Sequence, residues 1–445
     1  MQDPMHHEQR IPALSGFDST LRFLREGYVF IGNRCAELAS DTFTTRLMLR
    51  PVTCLRGAEA ADVFYHPGRM TRKGAMPRSV VSLLQDRGSV QGLDGRAHHI
   101  RKAMFLELMT PERLALARGV LAEEWAAAMR DWQGRTIALR DALPEVMTRT
   151  ALRWCGIPPE HEDVPKRAEE LSAMIEAAGS IGPAYLRALR LRHRSETWAR
   201  LQIRKARTGH IRDGALGRLA HHEDADGSHL SDAVAAVELL NLLRPIVAVG
   251  RYIVFAAHAL HVHSMTVKPF LASNEAEGAR AVGEEVRRLY PFFPVIGGKV
   301  RAPFDWRGRS FRAGDWLVLD LYGTCRDGAV WAKPETFDPA RHLAPDRPDH
   351  AMVPQGGGDL ATGHRCPGEH LSAALLTEAI GLLAAMTYDV PEQDLRIPLD
   401  QFPTWPRDGM KISVARDEAT RPAHLRLGLG QKNRARLPES RSRKA

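Results

Sequence analysis

From Thr44 to Gly57 the chain reads TTRLMLRPVTCLRG, β-branched and apolar residues punctuated by Pro51 and Gly57, which predicts an extended segment folded as a short hairpin. Beyond Ala58 the period changes. In AEAADVFYH and PERLALARGVLAEEWAAAMRDW the apolar residues recur at three- and four-residue steps, and the stretch to Leu271 is predicted to be mainly helical. The most informative helix begins at Ser231-Asp232, a suitable N-terminal pair, and its apolar pattern continues for about 30 residues. It is expected to be long, central and kinked or opened at Pro245, whose ring clashes with the carbonyl of Asn241. Arg244 precedes that proline in LLRPIVAVG, where an unpaired guanidinium would be costly, so an anionic group is expected to meet it.

A further helix is predicted over Ala279–Leu289, followed by a hairpin in FDWRGRSFRAGDWLVLDLYG with Arg-Gly-Arg-Ser at its turn. A long irregular stretch rich in Pro, Asp and Gly then ends in QGGGDLATGHRCPGEH. Leu371, Leu375, Leu382 and Met386 mark a last helix, with an extended end after Tyr388. The fold class expected is mainly α with small β-sheets.

Composition adds limits. With 44% hydrophobic and 26% charged residues over 445 positions, the chain can bury a large core. The net charge of +9 suggests a polyanionic partner, but its location does not: Arg421–Ala445 holds eight basic residues against one acidic, a net of +7, leaving +2 for the body. We expect one domain over residues 1–420 and a frayed basic tail over 421–445. A nucleic-acid partner is not expected, because the body is nearly neutral and carries no zinc or helix-turn-helix signature. Five scattered cysteines without a CxxC pair are neither a disulfide framework nor a zinc module, and they suit a reducing compartment. MQDPMHHEQR is not a signal peptide, and Leu239–Leu260 is interrupted by Arg244, Pro245 and Arg251. The expectation is a soluble cytoplasmic protein without stable membrane insertion.

The candidate chemistry centres on Cys366. It lies between a Gly-rich loop and a helix start, with Pro367 suited to the first turn, where backbone N–H groups and the helix dipole favour a metal-ligating thiolate. GHRCPGE, with Glu285-x-x-Arg288 and Phe337-x-Pro-x-Arg341 upstream, resembles the cytochrome P-450 superfamily of haem-thiolate enzymes. The resemblance implies that Cys366 is the axial ligand to the iron of haem b. It also implies that Glu285, Arg288 and Arg341 form a buried ion cluster supporting the cysteine loop. A thiolate pushes electron density into the iron and favours O–O cleavage.

Two departures from the superfamily pattern narrow the reading. Arg244-Pro245 stands where an acid-alcohol pair usually delivers protons to bound dioxygen, and the phenylalanine usually seven residues before the cysteine is absent. Together with VQGLDGRAHHIRK, EEVRRLYPFFP and LVLDLYG, these changes resemble the fatty-acid peroxygenase branch, over a span from about Thr45 to Val414. That branch implies an enzyme using hydrogen peroxide directly, with no redox partner. A long-chain fatty-acid carboxylate held by Arg244, beside Pro245, would accept a proton from the peroxide and return it. Oxidation then falls at the α or β carbon and gives a hydroxy acid, with some decarboxylation to a terminal alkene.

By the same resemblance, Gln91 lies close to the haem and favours hydroxylation, while His98, Lys102 and His364 bind the haem propionates. Tyr290, Pro291 and Phe292 to Pro294 either wall the haem and substrate channel or belong to the core. SLLQDRGSVQ has Leu84 or Gln85 at the position where, by the same resemblance, relatives carry an aromatic. Two alternatives stay open: a monooxygenase fed by a redox partner, and a non-catalytic haem-based fatty-acid binder.

Overall fold

The Ser231 hydroxyl accepts a hydrogen bond from the Val234 N–H at 3.2 Å, so one of the unpaired donors of a helix start is satisfied. The helix it caps runs from Asp232 to Val262 in the computed structural model, which describes residues 10–85, 88–274, 277–344 and 350–416. The basic tail from Arg421 lies outside the described residues. The helix does not open at Pro245 as its sequence led us to expect; it continues as α-helix through that residue. Packing from every side holds it. Among the described residues it is the helix long and apolar enough to cross a membrane, and most of it is buried inside the protein. Pro245 is the exception on this buried stretch, being exposed, and Ala248 is half-exposed.

The helices Leu139–Cys155, Val164–Glu176 and Pro183–Thr208 pack on this central helix, as do Gly278–Leu289 and Glu369–Ala385. Gly278–Leu289 is the helix predicted over Ala279–Leu289. The last helix begins at Glu369 with Gly368 as its N-cap, so Pro367 lies just outside the first turn and not within it.

Ten short strands complete the described fold: β1 (Thr42–Leu47), β2 (Arg50–Leu55), β3 (Met70–Thr71), β4 (Thr136–Ala138), β5 (Val295–Val300), β6 (Phe304–Trp306), β7 (Arg309–Phe311), β8 (Trp316–Asp320), β9 (Tyr388–Asp389) and β10 (Lys411–Val414). Five of them form a sheet ordered β1-β2-β8-β5-β3, with β2 and β8 parallel. The hairpin predicted near Thr44–Gly57 is β1–β2, with Leu47 opposite Arg50. The second predicted hairpin is β6–β7, and its turn is only Arg307 and Gly308; Arg309 and Ser310 already pair in β7. Positive φ at both turn residues, 49° and 66°, explains the glycine. Two smaller sheets, β4-β10-β9 and β6-β7, lie apart from the five-stranded one.

Candidate active site

The cysteine loop is tied to its surroundings at both ends. The Cys366 N–H donates to the Gln355 carbonyl at 3.2 Å, and Gln355 Nε2 lies 3.9 Å from Cys366 Sγ and 3.0 Å from Ser372 Oγ. The Gln355 Oε1 accepts from Arg287 Nη2 at 3.2 Å, and Arg287 also pairs with Glu369 at 2.6 Å. Lys102 comes to the loop from the Gly95–Leu106 helix, donating to the carbonyl of Gly363 at 2.7 Å and to that of Arg365. The expectation that Lys102 serves a propionate is therefore modified: two of its donors brace the cysteine loop.

Behind the loop is the buried ion cluster. Glu285, with no exposed side-chain surface, pairs with Arg288 at 2.7 Å and with Arg341 at 3.3 Å. His342 Nε2 lies 2.8 Å from the same carboxylate, and the Asp338 N–H donates to it at 2.9 Å. These hydrogen bonds hold the Glu285 carboxyl below its usual range although burial pushes it up. The three sequence-predicted residues meet as expected, and His342 is an addition that its neighbour Arg341 could have flagged.

Above the loop, Arg244 is 5% exposed and has no carboxylate partner among the described residues. The expected anion is therefore not a side chain of the described residues. Its guanidinium donates to the carbonyls of Leu83 (3.2 Å) and Leu84 and to Asn241 Oδ1 (3.0 Å). The segment carrying the Leu84–Gln85 departure is thus what orients the arginine. Burial, with Arg192 nearby, lowers the guanidinium to about 9 against the pull of Glu238, so it stays cationic at neutral pH.

Asn241 belongs to a ladder on one helix face that sequence reading missed. Its Nδ2 donates to Glu238 Oε2 at 2.8 Å and lies 3.5 Å from Gln91 Oε1. Glu238 in turn accepts from Arg101 at 2.8 Å and from the Val90 N–H at 2.8 Å. Glu238, Asn241 and Arg244 recur at three-residue steps, a spacing that puts them on one face and was visible in the sequence. Gln91 therefore reaches Arg244 only through Asn241.

Between loop and ladder, the His98 and His364 rings are 4.2 Å apart, and His364 Nε2 is 3.9 Å from Asp94 Oδ1. Burial, reinforced by Lys102, lowers His98 to about 4; burial with Arg72, His98 and Lys102 lowers His364 to about 2. The half-buried Arg72 guanidinium donates to the Gly297 carbonyl at 2.8 Å. Tyr290 and Phe292 prove to be packed residues: the Tyr290 hydroxyl meets His258 Nδ1 at 2.8 Å, and the Phe292 ring stacks on Tyr252 at 4.0 Å.

These residues fit a haem. Burial raises the Cys366 thiol even though Lys102 and Arg287 pull it down, so a metal cation is what would hold it as thiolate. His98 and His364, with the Lys102 and Arg72 cations near them, form a donor set that could bind carboxylates such as propionates.

A family model described as Cytochrome P450 matches residues 277–383. Among curated proteins, Cytochrome P450 4A7 of Oryctolagus cuniculus and Taurochenodeoxycholic 6 alpha-hydroxylase of Sus scrofa are each 33% identical over 119 residues. That segment spans 26% of this chain and 22% of each relative. The solved structure of cytochrome P450EX alpha (CYP152N1) with myristic acid is similar at a TM-score of 0.87 and 38% identity, covering 91% of this chain and 98% of that one. Cytochrome P450SP alpha (CYP152B1) in complex with (R)-ibuprophen matches at 0.86 and 41% identity, covering 89% and 98%. A variant of cytochrome P450 OleT in complex with arachidonic acid matches at 0.86 and 32%, covering 92% and 100%. With such identity over nearly the whole of both chains, this protein belongs to the cytochrome P450 superfamily, in its CYP152 branch of fatty-acid peroxygenases.

Proposed function

We propose that this chain hydroxylates long-chain fatty acids at the α or β carbon, using hydrogen peroxide without a redox partner, in the cytoplasm. One observation carries the reading: Arg244 is a buried cation whose acceptors among the described residues are all neutral. A buried cation without a counter-ion is costly, and a substrate carboxylate supplies one. That several similar structures contain carboxylic acids supports the same choice of ligand.

Cys366 would hold the haem, with His98, His364 and Arg72 toward its propionates, and the bound haem supplies the oxidising chemistry. Arg244 would fix the carboxylate so that the first carbons of the acyl chain are the ones presented to the bound haem. The carboxylate oxygen on Arg244 can take a proton from the peroxide and give it back, the task for which this helix has no acid-alcohol pair. Pro245 and Ala248, which follow Arg244 on the helix, are apolar and add no competing acid. Gln91 acts at one remove, by setting the amide of Asn241.

The test is product analysis of the purified holoprotein with a long-chain saturated fatty acid and hydrogen peroxide, without NAD(P)H or reductase. The reading expects 2- or 3-hydroxy acids, with some shortened terminal alkene. Product only when a ferredoxin and its reductase are added would replace it with a partner-dependent monooxygenase. Fatty-acid binding without product in either case would leave a haem-based binder.

A further inference from the structure

The β1–β2 connection contradicts the residue preferences of its own geometry. Leu47 pairs with Arg50, so the loop is Met48 and Leu49 alone, and both have positive φ, 52° and 62°. Hairpins favour this primed turn, but with Asn-Gly in it, because a side chain bearing Cβ is strained in the left-handed region. Burial does not offset the strain here: Met48 is 42% exposed and Leu49 64%. The turn is held through backbone N–H groups that any residue would supply, so side chains this unfavourable to it mark positions retained for something outside the fold.

The tip is fastened to the Thr20–Glu26 helix. The Met48 N–H donates to Thr20 Oγ1 at 2.5 Å and the Leu49 N–H to Asp18 Oδ2 at 2.7 Å. Leu21 and Leu24 on that helix and Phe17 in the bend before it are all exposed, Phe17 at 74%. Arg22, Arg25, Arg46 and Arg50 are exposed among these apolar residues, and the Arg46 guanidinium lies 5.6 Å from the Phe17 ring. The two acids of these segments are engaged. Asp18 accepts from the Thr20 and Leu49 N–H groups, and Glu26 from Asn33 and Arg34.

We propose that this face docks on an anionic lipid surface, with Met48, Leu49, Phe17, Leu21 and Leu24 entering the acyl boundary and the four arginines meeting lipid phosphates. Apolar side chains interleaved with arginines are the composition of an interfacial element, and the charge complements an anionic leaflet. The apolar groups stand on a turn, a bend and a helix with exposed arginines interleaved, which favours a lipid surface over a peptide. The inference extends past the enzymatic reading and does not depend on it, although a lipid-derived substrate would be met at the same surface.

The experiment uses the full-length holoprotein in co-sedimentation with vesicles of phosphatidylcholine alone and of phosphatidylcholine with phosphatidylglycerol. The variant combines Met48→Asn with Leu49→Gly, which gives the turn the residues it prefers, so its melting temperature should equal or exceed that of the parent. The parent is expected to bind phosphatidylglycerol-containing vesicles, more weakly at high salt, and the variant to bind at least about tenfold less. Absence of parent binding, or equal binding by the variant, would overturn the proposal; the second result would assign the attraction to charge elsewhere, including the basic tail. A dimer in sedimentation velocity that the variant abolishes, without vesicle binding, would make the face a contact between copies and also overturn it. Because vesicle partition does not involve turnover, failure here leaves the Arg244 reading untouched.

Discussion

Replacing Asn241 with leucine changes little volume but removes one amide from the ladder that holds Arg244. Asn241 Oδ1 is one of three acceptors of that guanidinium, at 3.0 Å, and its Nδ2 binds Glu238 at 2.8 Å. A hydrogen bond to a charged group contributes about 1.5–3 kcal/mol. The Leu83 and Leu84 carbonyls still hold the arginine, so the lower figure applies, and about 1.4 kcal/mol is a factor of ten. We expect the fatty-acid Kd, from titration of the Soret shift, to rise about tenfold and kcat/KM to fall in parallel, at unchanged haem content. Values within twofold of the parent would refute the view that Asn241 orients Arg244.

Two further outcomes follow from the buried polar groups. Glu285→Ala leaves Arg288 buried without its carboxylate, and urea unfolding should show a loss of about 3–5 kcal/mol; a loss under about 1 kcal/mol would contradict the role given to the cluster. His258 is held neutral between Tyr290 and the Leu395 carbonyl, and burial lowers it to about 4, whereas an unfolded histidine titrates near ~6.5. The unfolded chain therefore gains its proton first. Stability from this site is full above pH ~6.5 and falls by up to about 3 kcal/mol as pH drops toward 4. His258→Gln should lose less stability than the parent between neutral and acidic pH in urea titrations; equal losses would count against it.

Much of the fold was legible because it rests on local signals. Ser231 and the apolar pattern after it gave the central helix, and the Glu285–Arg288 spacing put two charges on one turn before any partner was known. What the sequence could not give was contact across the chain. Pro245 reads as a kink or an opening, yet the helix stays unopened through it. Arg244 reads as needing an anion, but no local pattern announces that carbonyls of a segment 160 residues earlier orient it. Gln355, eleven residues before the cysteine in a glycine-rich loop, has no periodicity to mark it; only the fold brings its amide to Cys366 Sγ. The Glu238-Asn241-Arg244 spacing was visible, and was passed over because apolar neighbours dominate that helix.

The central claim is that the substrate carboxylate sits on Arg244 and stands in for the missing acid. The most direct measurement compares the parent with Arg244→Ala, both loaded with haem, for hydroxy-acid formation from a long-chain fatty acid and hydrogen peroxide. The account predicts that turnover collapses in the variant while its haem content and thiolate-ligated spectrum are retained. Fatty-acid hydroxylation persisting at the parent's rate would contradict it.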